Sequence, residues 1–371
     1  MKIKLFGILF ILAVVLTGCK EAEETTKDSA EGHNHEQEHV VIDDLGREVT
    51  IPENLERVVA ANPWPFYSAW FVGTNSTEEI IALNPGAYDA AEASILKDIS
   101  PEILNASTAP FQSDSVNIEE LIKLNPQLYF ANSTDVAVIE KLEEAGVNVY
   151  ALPTMDNTEG EPLSLMNKWL EIIGAITGKE ERTQELITAG DAAMDEVGEK
   201  IADVKEEDKP RVLFLFNHSE NEIIVPGKNH YGNQWIKATG GIDVAEEIEG
   251  TQVVNMEQIY EWNPDIIYIT NFTETQPEDL LNNTVVGQDW SKVTAVKEAQ
   301  VYKVPLGIYR WYTASGDGPL MLKWMALHNH PELFNYDMKA EIKDYYSEFY
   351  NFEPSDEQVE RILKPSSEAG A

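Results

Sequence analysis

One helix-to-strand unit occurs twice in this chain, and the repeat restricts the folds open to it. Each copy has an Asn before a helical pattern, a Glu shortly after that Asn, and an Asn-Pro pair before a short apolar run. The copies begin at Val116 and Val254, and their apolar runs are Leu128 to Ala131 and Ile266 to Ile269. An Asn in this position caps a helix, and a Pro after the last turn ends it. A repeated supersecondary unit predicts two lobes of similar topology.

Strand and helix patterns alternate in both halves, which is typical of parallel sheets. Arg57 and Arg211 start matching apolar runs in the two halves. Between the halves, the segment from Glu161 to Glu206 has apolar residues at helical spacing and no proline after Pro162. A helix of about 30 residues is about 45 Å long. The predicted fold class is therefore α/β, with two lobes, parallel-type sheets and a single long spine helix.

The first residues predict an export signal. Two lysines precede an apolar run from Leu5 to Leu16, which is shorter than the roughly 20 residues that a membrane-spanning helix needs. The segment that ends at Cys19 resembles the lipobox of bacterial lipoproteins, and Cys19 is the single cysteine of the chain. A structural disulfide is therefore not expected. We predict a signal peptide at 1–18 and a lipid on Cys19, which would hold the protein on the extracytoplasmic face of the bacterial cell membrane.

Residues 19–40 are polar and predict a lipidated, disordered tether. Its histidines His33, His35 and His39 are candidate ligands for Zn or Ni, with solvated polar sequence as the alternative. The run from His35 to His39 also matches the H-E-x-x-H pattern of zinc proteases. That chemistry needs both histidines on one face of a buried helix, which a solvated tether does not supply.

The formal net charge of −38 decides which partners are improbable. Removal of residues 1–18 would take away Lys2 and Lys4 and leave −40. A chain of this charge is repelled by nucleic acid and by anionic membranes, so contact with the membrane is expected through the lipid alone. Hydrophobic residues make up 43% of the chain, which is enough for the cores of about two domains.

Several motifs together resemble a known family. They are the Asp44 to Arg47 turn, Pro52, the Arg57 strand start, the paired Asn-x-Glu units, the spine helix and the late Gly-Pro-Leu segment. In this order they resemble the iron-siderophore, haem and cobalamin-binding lipoproteins of ABC importers. The resemblance implies two Rossmann-like lobes that hold a ligand in a shallow cleft. It covers about residues 41–350, and the domains expected are an N-terminal lobe at 41–158, a linking helix at 159–208, a C-terminal lobe at 209–350 and a tail with a helix at 351–371.

The same resemblance assigns a docking role to two glutamates. Members of the family use one exposed Glu on each lobe to contact arginines of the membrane permease, and Glu119 and Glu257 match these positions. A carboxylate in the first turn of a helix is stabilised by the helix dipole, and two placed symmetrically suit a roughly two-fold permease. The alternative is that both serve only helix starts and solubility.

The ligand is expected beyond the carboxyl ends of the strands, where parallel sheets bind ligands. The loops there are rich in aromatic and polar residues. The candidate contacts are Arg310, Trp311, Tyr312, Tyr309, Trp64, Phe66, Tyr67, His218, His230, Tyr231, Asn271 and Asn132. The rings can present flat faces to an organic chelate, His218 and His230 can ligate a metal, and Arg310 can bind a carboxylate, catecholate or oxyanion.

The expected function is capture of an iron complex of siderophore, haem or corrinoid type and its delivery to an ABC permease by a monomer without an intrinsic cofactor. A nickel-histidine chelate or molybdate is the alternative cargo, because Arg310 is the one obvious arginine in a candidate loop. A surface adhesin or receptor and a metal-dependent enzyme are the alternatives from other classes. No nucleophile elbow or phosphate loop occurs in the sequence, and Gly174 to Lys179 is one residue too short for a P-loop.

Overall fold

The computed structural model describes residues 39–112, 115–155 and 160–370. The predicted signal peptide, Cys19, His33 and His35 lie outside these residues. Within them, no helix is both long enough and apolar enough to cross a membrane.

The N-terminal lobe is built on a four-stranded parallel sheet of order β4-β3-β7-β8. Its strands are β1 (His39–Ile42), β2 (Glu48–Ile51), β3 (Val58–Ala60), β4 (Ile80–Leu83), β5 (Phe111–Gln112), β6 (Ser115–Val116), β7 (Leu128–Asn132) and β8 (Val149–Leu152). Its helices are α1 (Phe66–Thr74), α2 (Pro85–Ala93), α3 (Leu96–Ile99), α4 (Ile118–Lys123) and α5 (Val136–Glu144). The hairpins β1-β2 and β5-β6 are antiparallel additions. Because β1 starts at His39, regular structure begins two residues before the expected lobe boundary.

The C-terminal lobe repeats this plan. Its strands are β9 (Arg211–Leu215), β10 (Asn217–His218), β11 (Ile223–Pro226), β12 (Ile242–Asp243), β13 (Thr251–Val254), β14 (Ile266–Ile269) and β15 (Val301–Lys303). Its helices are α8 (Tyr231–Ala238), α9 (Met256–Trp262), α10 (Pro277–Leu281), α11 (Thr294–Lys297), α12 (Gly318–Asn329) and α13 (Met338–Tyr350), and a last helix α14 (Asp356–Leu363) follows. The parallel sheet has the order β12-β9-β14-β15, with β10, β11 and β13 as a separate antiparallel sheet.

The repeated unit has the same place in both lobes. Asn117 caps α4 by accepting hydrogen bonds from the N–H groups of Glu119 and Glu120, and Asn255 caps α9 through the N–H of Gln258. The strand after each helix, β7 or β14, pairs in parallel with the strand that comes first along the chain in its parallel sheet, β3 or β9. The two-lobed α/β fold is thereby confirmed.

The linking segment contains two helices where the sequence predicts one continuous helix. Helix α6 (Ser164–Thr177) ends at Gly178, whose φ of 68° is left-handed, and α7 (Glu180–Ile201) starts after the turn. A glycine enters this conformation without the steric penalty that a Cβ brings. Helix α7, with 22 residues, is the long helix, and at 1.5 Å per residue it is about 33 Å long. It packs against α6 and α1 on one side and against α12 and α8 of the C-terminal lobe on the other.

Both lobes share one hydrophobic core. A single cluster of buried side chains includes Phe130 of β7, Trp169 of α6, Phe214 of β9 and Met325 of α12. Two smaller clusters cover the other face of each sheet. The last helix also joins the lobes, because Arg361 of α14 forms an ion pair with Asp98 of α3.

Candidate functional site: a cationic cleft between the lobes

The loops that follow the parallel strands of the two lobes meet each other. Tyr67, at the start of α1 after β3, packs edge-on against Tyr309, which lies in the loop after β15, with ring centroids 5.7 Å apart. The N–H of Ile95 donates to the carbonyl of Gly307 at 3.2 Å. The strand ends of the two sheets thus converge on one place, where parallel sheets bind ligands.

Arg310 is the buried cation at this place, and it is 6% exposed. Its guanidinium carbon lies 4.5 Å from the ring centroid of Phe272 and 5.9 Å from that of Tyr309. Among the described residues, no carboxylate forms an ion pair with it. Its Nε atom, the hydroxyl of Tyr67 and the side-chain oxygen of Asn271 are buried and have no hydrogen-bond partner within those residues. A buried polar atom without a hydrogen-bond partner costs about 1–3 kcal/mol of stability. A ligand that forms hydrogen bonds with these atoms would recover that cost.

The two candidate histidines differ in what they can still bind. His218 is buried, with Nδ1 2.9 Å from the Thr275 hydroxyl and Nε2 2.7 Å from the side-chain oxygen of Gln288. Burial lowers its pKa. A metal could bind His218 only after one of these hydrogen bonds is broken. His230 is half-buried, its Nδ1 lies 2.7 Å from the Tyr312 hydroxyl, and burial lowers its pKa to about 4, which keeps the ring neutral at pH 7.

Three of the predicted aromatic contacts have packing roles in the structure. Phe66, Trp311 and Tyr312 are fully buried. Phe66 packs on Phe130 at 4.5 Å, and the Trp311 indole donates to Asp317 at 2.9 Å. Their full burial leaves little ring surface for the flat chelate that the sequence predicted. Ligand contact by these three rings stays a prediction.

Other candidates are half-buried at the edge of the cleft. The Trp64 ring lies directly against Gly86 of α2, where a Cβ would be 2.5 Å from the ring, so only glycine leaves room for it. Tyr231 packs edge-on against Tyr312 with centroids 6.0 Å apart. Asn132 ends β7, and its side chain donates to Asp135 at 3.4 Å.

Lys303 and Asp317 belong to the same region, although neither was among the residues predicted from the sequence. Lys303 is buried at the end of β15, and its Nζ donates to the carbonyls of Thr273 and Thr275 at 2.7 and 2.8 Å. Burial, with the nearby charge of Arg310, lowers the pKa of Lys303 to about 7. A lysine that continues an apolar strand, Val301-Tyr302-Lys303-Val304, was the available signal.

Asp317 fixes the loop that carries Arg310. Its fully buried carboxylate accepts hydrogen bonds from the N–H of Ile308, the Trp311 indole and the hydroxyls of Tyr346 and Tyr350. A Cβ on Gly307 would be 1.9 Å from the same carboxylate, so the loop backbone touches it. Burial raises the pKa of Asp317 to about 6.

The raised pKa of Asp317 predicts a stability change with pH. The stabilisation from its protonated form is complete below the ordinary Asp pKa of about 4 and is lost as the pH rises through about 6. Asp317→Asn cannot titrate, so the stability of the variant relative to wild type should improve by about 2 kcal/mol from pH 4 to pH 7. Urea unfolding at several pH values measures this difference. Parallel curves for the two proteins would contradict the assignment.

A cavity of about 650 Å³ opens on the C-terminal lobe, and Arg310 itself is not among its lining residues. Phe272, the ring under the guanidinium, is part of its wall. The other lining residues are Asn217, His218, Ser219, Thr273, Glu274, Thr275, Gln276, Asp279 and Ser367. Among the described residues, no group of three or more His, Cys, Asp or Glu side chains is arranged to hold a metal ion.

The two predicted docking glutamates are both exposed, one on each lobe. Glu119 is in the first turn of α4 and Glu257 in the first turn of α9. Each of these helices precedes a strand of its parallel sheet and runs antiparallel to it. The first turn of the helix is therefore at the carboxyl ends of the strands, which is the cleft side of the lobe. This position suits docking, and the role itself stays a prediction.

Comparison with known proteins gives the family. A family model described as periplasmic binding protein matches residues 110–306, more than half of the chain. The crystal structure of a periplasmic solute binding protein from Veillonella parvula superposes with a TM-score of 0.80 at 31% identity, over 88% of this chain and 97% of that one. The molybdate-binding protein MolA of Haemophilus influenzae is 24% identical over 331 residues, which are 84% of this chain and 91% of that protein. The iron-uptake system-binding protein of Bacillus subtilis is 21% identical over 312 residues, which are 81% and 90% of the two chains. The chain therefore belongs to the periplasmic binding protein family, the solute-binding proteins of ABC transporters.

Proposed function

We propose that this protein captures a small oxyanion of the molybdate type in the cleft between its lobes and delivers it to the permease of an ABC importer. The observation that carries the proposal is the state of Arg310. This guanidinium is buried, has no carboxylate partner among the described residues, and lies beside a buried Tyr67 hydroxyl that is also without a partner there.

A buried cation without a counterion is unfavourable, because the surrounding protein does not replace the water that it loses. The ring of Phe272 offsets part of this cost through its π face. An anion offsets more, since hydrogen bonds between a guanidinium and an anionic oxygen are charge-assisted. Arg310 and the Tyr67 hydroxyl supply donors, and no cluster of three or more His, Cys, Asp or Glu side chains among the described residues could hold a metal ion. This chemistry suits an oxyanion better than a bare metal cation.

An iron complex, the first expectation from the sequence, is the second candidate. Half-buried rings at the cleft edge, those of Trp64, Tyr231 and Phe272, favour it because they can pack against an organic chelate. The name of the Bacillus subtilis relative supports it, as that of the Haemophilus influenzae relative supports molybdate. We rank the oxyanion first, because the donors without partners are few and close together, as a small ligand requires.

Titration calorimetry of the purified protein distinguishes the two candidates. The ligands to compare are molybdate, tungstate, a ferric catecholate siderophore, haemin and a nickel-histidine chelate. We expect molybdate and tungstate to bind with micromolar or tighter affinity and the iron complexes to give no heat. Binding of an iron complex with no response to the oxyanions would replace the first candidate by the second. Native mass spectrometry and elemental analysis of protein purified from its own host provide an independent identification.

The remaining parts of the proposal concern location and transfer. Family membership implies an extracytoplasmic protein that binds its solute without converting it. We propose in addition that a lipid on Cys19 anchors the chain and that Glu119 and Glu257 contact arginines of the permease. The acidic surface, with a net charge of −38, supports a role for lipid in membrane attachment.

A further inference from the structure

We propose that Lys303 is a second positive charge of the binding site and makes the cleft prefer doubly charged over singly charged oxyanions. This inference rests on the proposed function, because it concerns the charge of the anion that the cleft accepts. Lys303 belongs to the C-terminal lobe and lies behind residues that line the cavity.

The contacts of Lys303 connect it to the Arg310 site. Its ammonium donates to the carbonyls of Thr273 and Thr275, and both residues line the cavity of about 650 Å³. The same short segment contains Phe272, on which the Arg310 guanidinium is stacked. One stretch of chain therefore contacts both cations.

The charges around Lys303 leave the site positive. Among the described residues, neither Lys303 nor Arg310 has a carboxylate within ion-pair distance. Asp279 on α10 is the acidic group that acts on Lys303, and its carboxylate caps its own helix by accepting from the N–H of Gln276. Glu274 lines the cavity but is exposed, where water screens its charge. His218 also faces this region, and burial favours its neutral form.

With the exposed, water-screened Glu274 left aside, Lys303, Arg310 and Asp279 carry a net charge of +1, which a dianion complements better than a monoanion. A unit positive charge several ångströms from the anion attracts a dianion more strongly than a monoanion. At the effective dielectric constant of a partly buried site, it raises the ratio of the dianion affinity to the monoanion affinity by about tenfold or more.

The protonation of Lys303 should be linked to binding. Because its pKa is lowered to about 7, a fraction of the molecules carries a neutral lysine at neutral pH. An anion nearby favours the charged form, so binding takes up protons and the affinity falls as the pH rises through about 7. His230, with a pKa of about 4, does not titrate in this range.

Tungstate and perrhenate test the proposal, because both are tetrahedral MO₄ ions of similar size that differ by one unit of charge. We expect wild-type protein to prefer tungstate, and Lys303→Met to reduce the ratio of the two affinities at least about tenfold, mainly by weakening tungstate. Lys303→Arg keeps a permanent charge, so it should retain the preference and lose the pH dependence between pH 6 and pH 8.5. Lys297→Met, at an exposed lysine of α11, is the matched control and should behave like wild type.

Calorimetry in buffers of different ionisation enthalpy gives the proton uptake for each variant. The inference is overturned if Lys303→Met keeps the wild-type ratio of affinities, or if Lys303→Arg takes up as many protons as wild type. If Lys303→Met does not fold, the comparison of Lys303→Arg with wild type decides alone. Wild-type protein that binds neither anion refutes the oxyanion function, and the role of Lys303 with it.

Discussion

Arg310→Ala is expected to weaken binding of molybdate or tungstate by at least about 30-fold while the fold stays intact. Removal of one partner of a buried, hydrogen-bonded charge pair costs about 2–5 kcal/mol, and tenfold in affinity corresponds to about 1.4 kcal/mol. The stability should change little, because Arg310 has no ion-pair partner among the described residues and its Nε makes no hydrogen bond there. A shift in melting temperature below about 4 °C is expected.

Calorimetry and thermal unfolding measure the two effects separately. Arg310→Lys keeps the positive charge but lacks the several coplanar N–H donors of a guanidinium, so its affinity should lie between those of Arg310→Ala and wild type. Arg211→Ala is the matched control, because Arg211 lies at the opposite end of the parallel strands, where it is exposed. Unchanged affinity in Arg310→Ala would remove this residue from the site, and equal losses in Arg310→Ala and Arg211→Ala would show that the effect is not local.

The double variant Glu119→Lys with Glu257→Lys is expected to bind its cargo normally and to lose uptake in cells. Both side chains are exposed, so their replacement leaves the core and the cleft unchanged. If they contact arginines of the permease, each substitution replaces attraction by repulsion, and like charges facing each other cost several kcal/mol. Accumulation of molybdenum in cells that lack the wild-type gene and carry the variant measures the effect.

The control for this experiment is Glu144→Lys with Glu298→Lys. These exposed glutamates end α5 and follow α11, in the turns that lead into β8 and β15, so they lie at the edge of the sheets away from the cleft. The control changes the net charge by the same amount. Uptake at the wild-type rate by the Glu119 and Glu257 variant would refute the docking role, and an equal loss in the control would assign the effect to overall charge.

The sequence predicts the duplicated fold because the signals for it are local. The caps at Asn117 and Asn255 and the apolar runs of β7 and β14 are patterns of neighbouring residues. The break at Gly178 was missed, since the apolar spacing continues through it and only packing of α6 on α7 shows where the chain turns. The acidic pair Glu180 and Glu181, at the start of a new helix, was the signal for a second start.

The site was predicted less completely, because burial depends on contacts between distant segments. The sequence predicted that Arg310 and Tyr67 lie in strand-end loops. In the structure both side chains contact the ring of Tyr309. It could not show that Asp317 covers the edge of Trp311, or that Lys303 points to carbonyls of another loop. These contacts join positions that no local pattern connects.

The shared core has a consequence for how the molecule melts. Since buried side chains of both sheets and of α6 and α7 belong to one cluster, the two lobes should lose structure together in a single cooperative transition. A ligand held between them then stabilises the entire unit, by an amount that grows with the logarithm of its concentration above its dissociation constant. One melting curve per compound is therefore a direct readout of cleft occupancy, and a panel of anions and chelates can be ranked by heating alone.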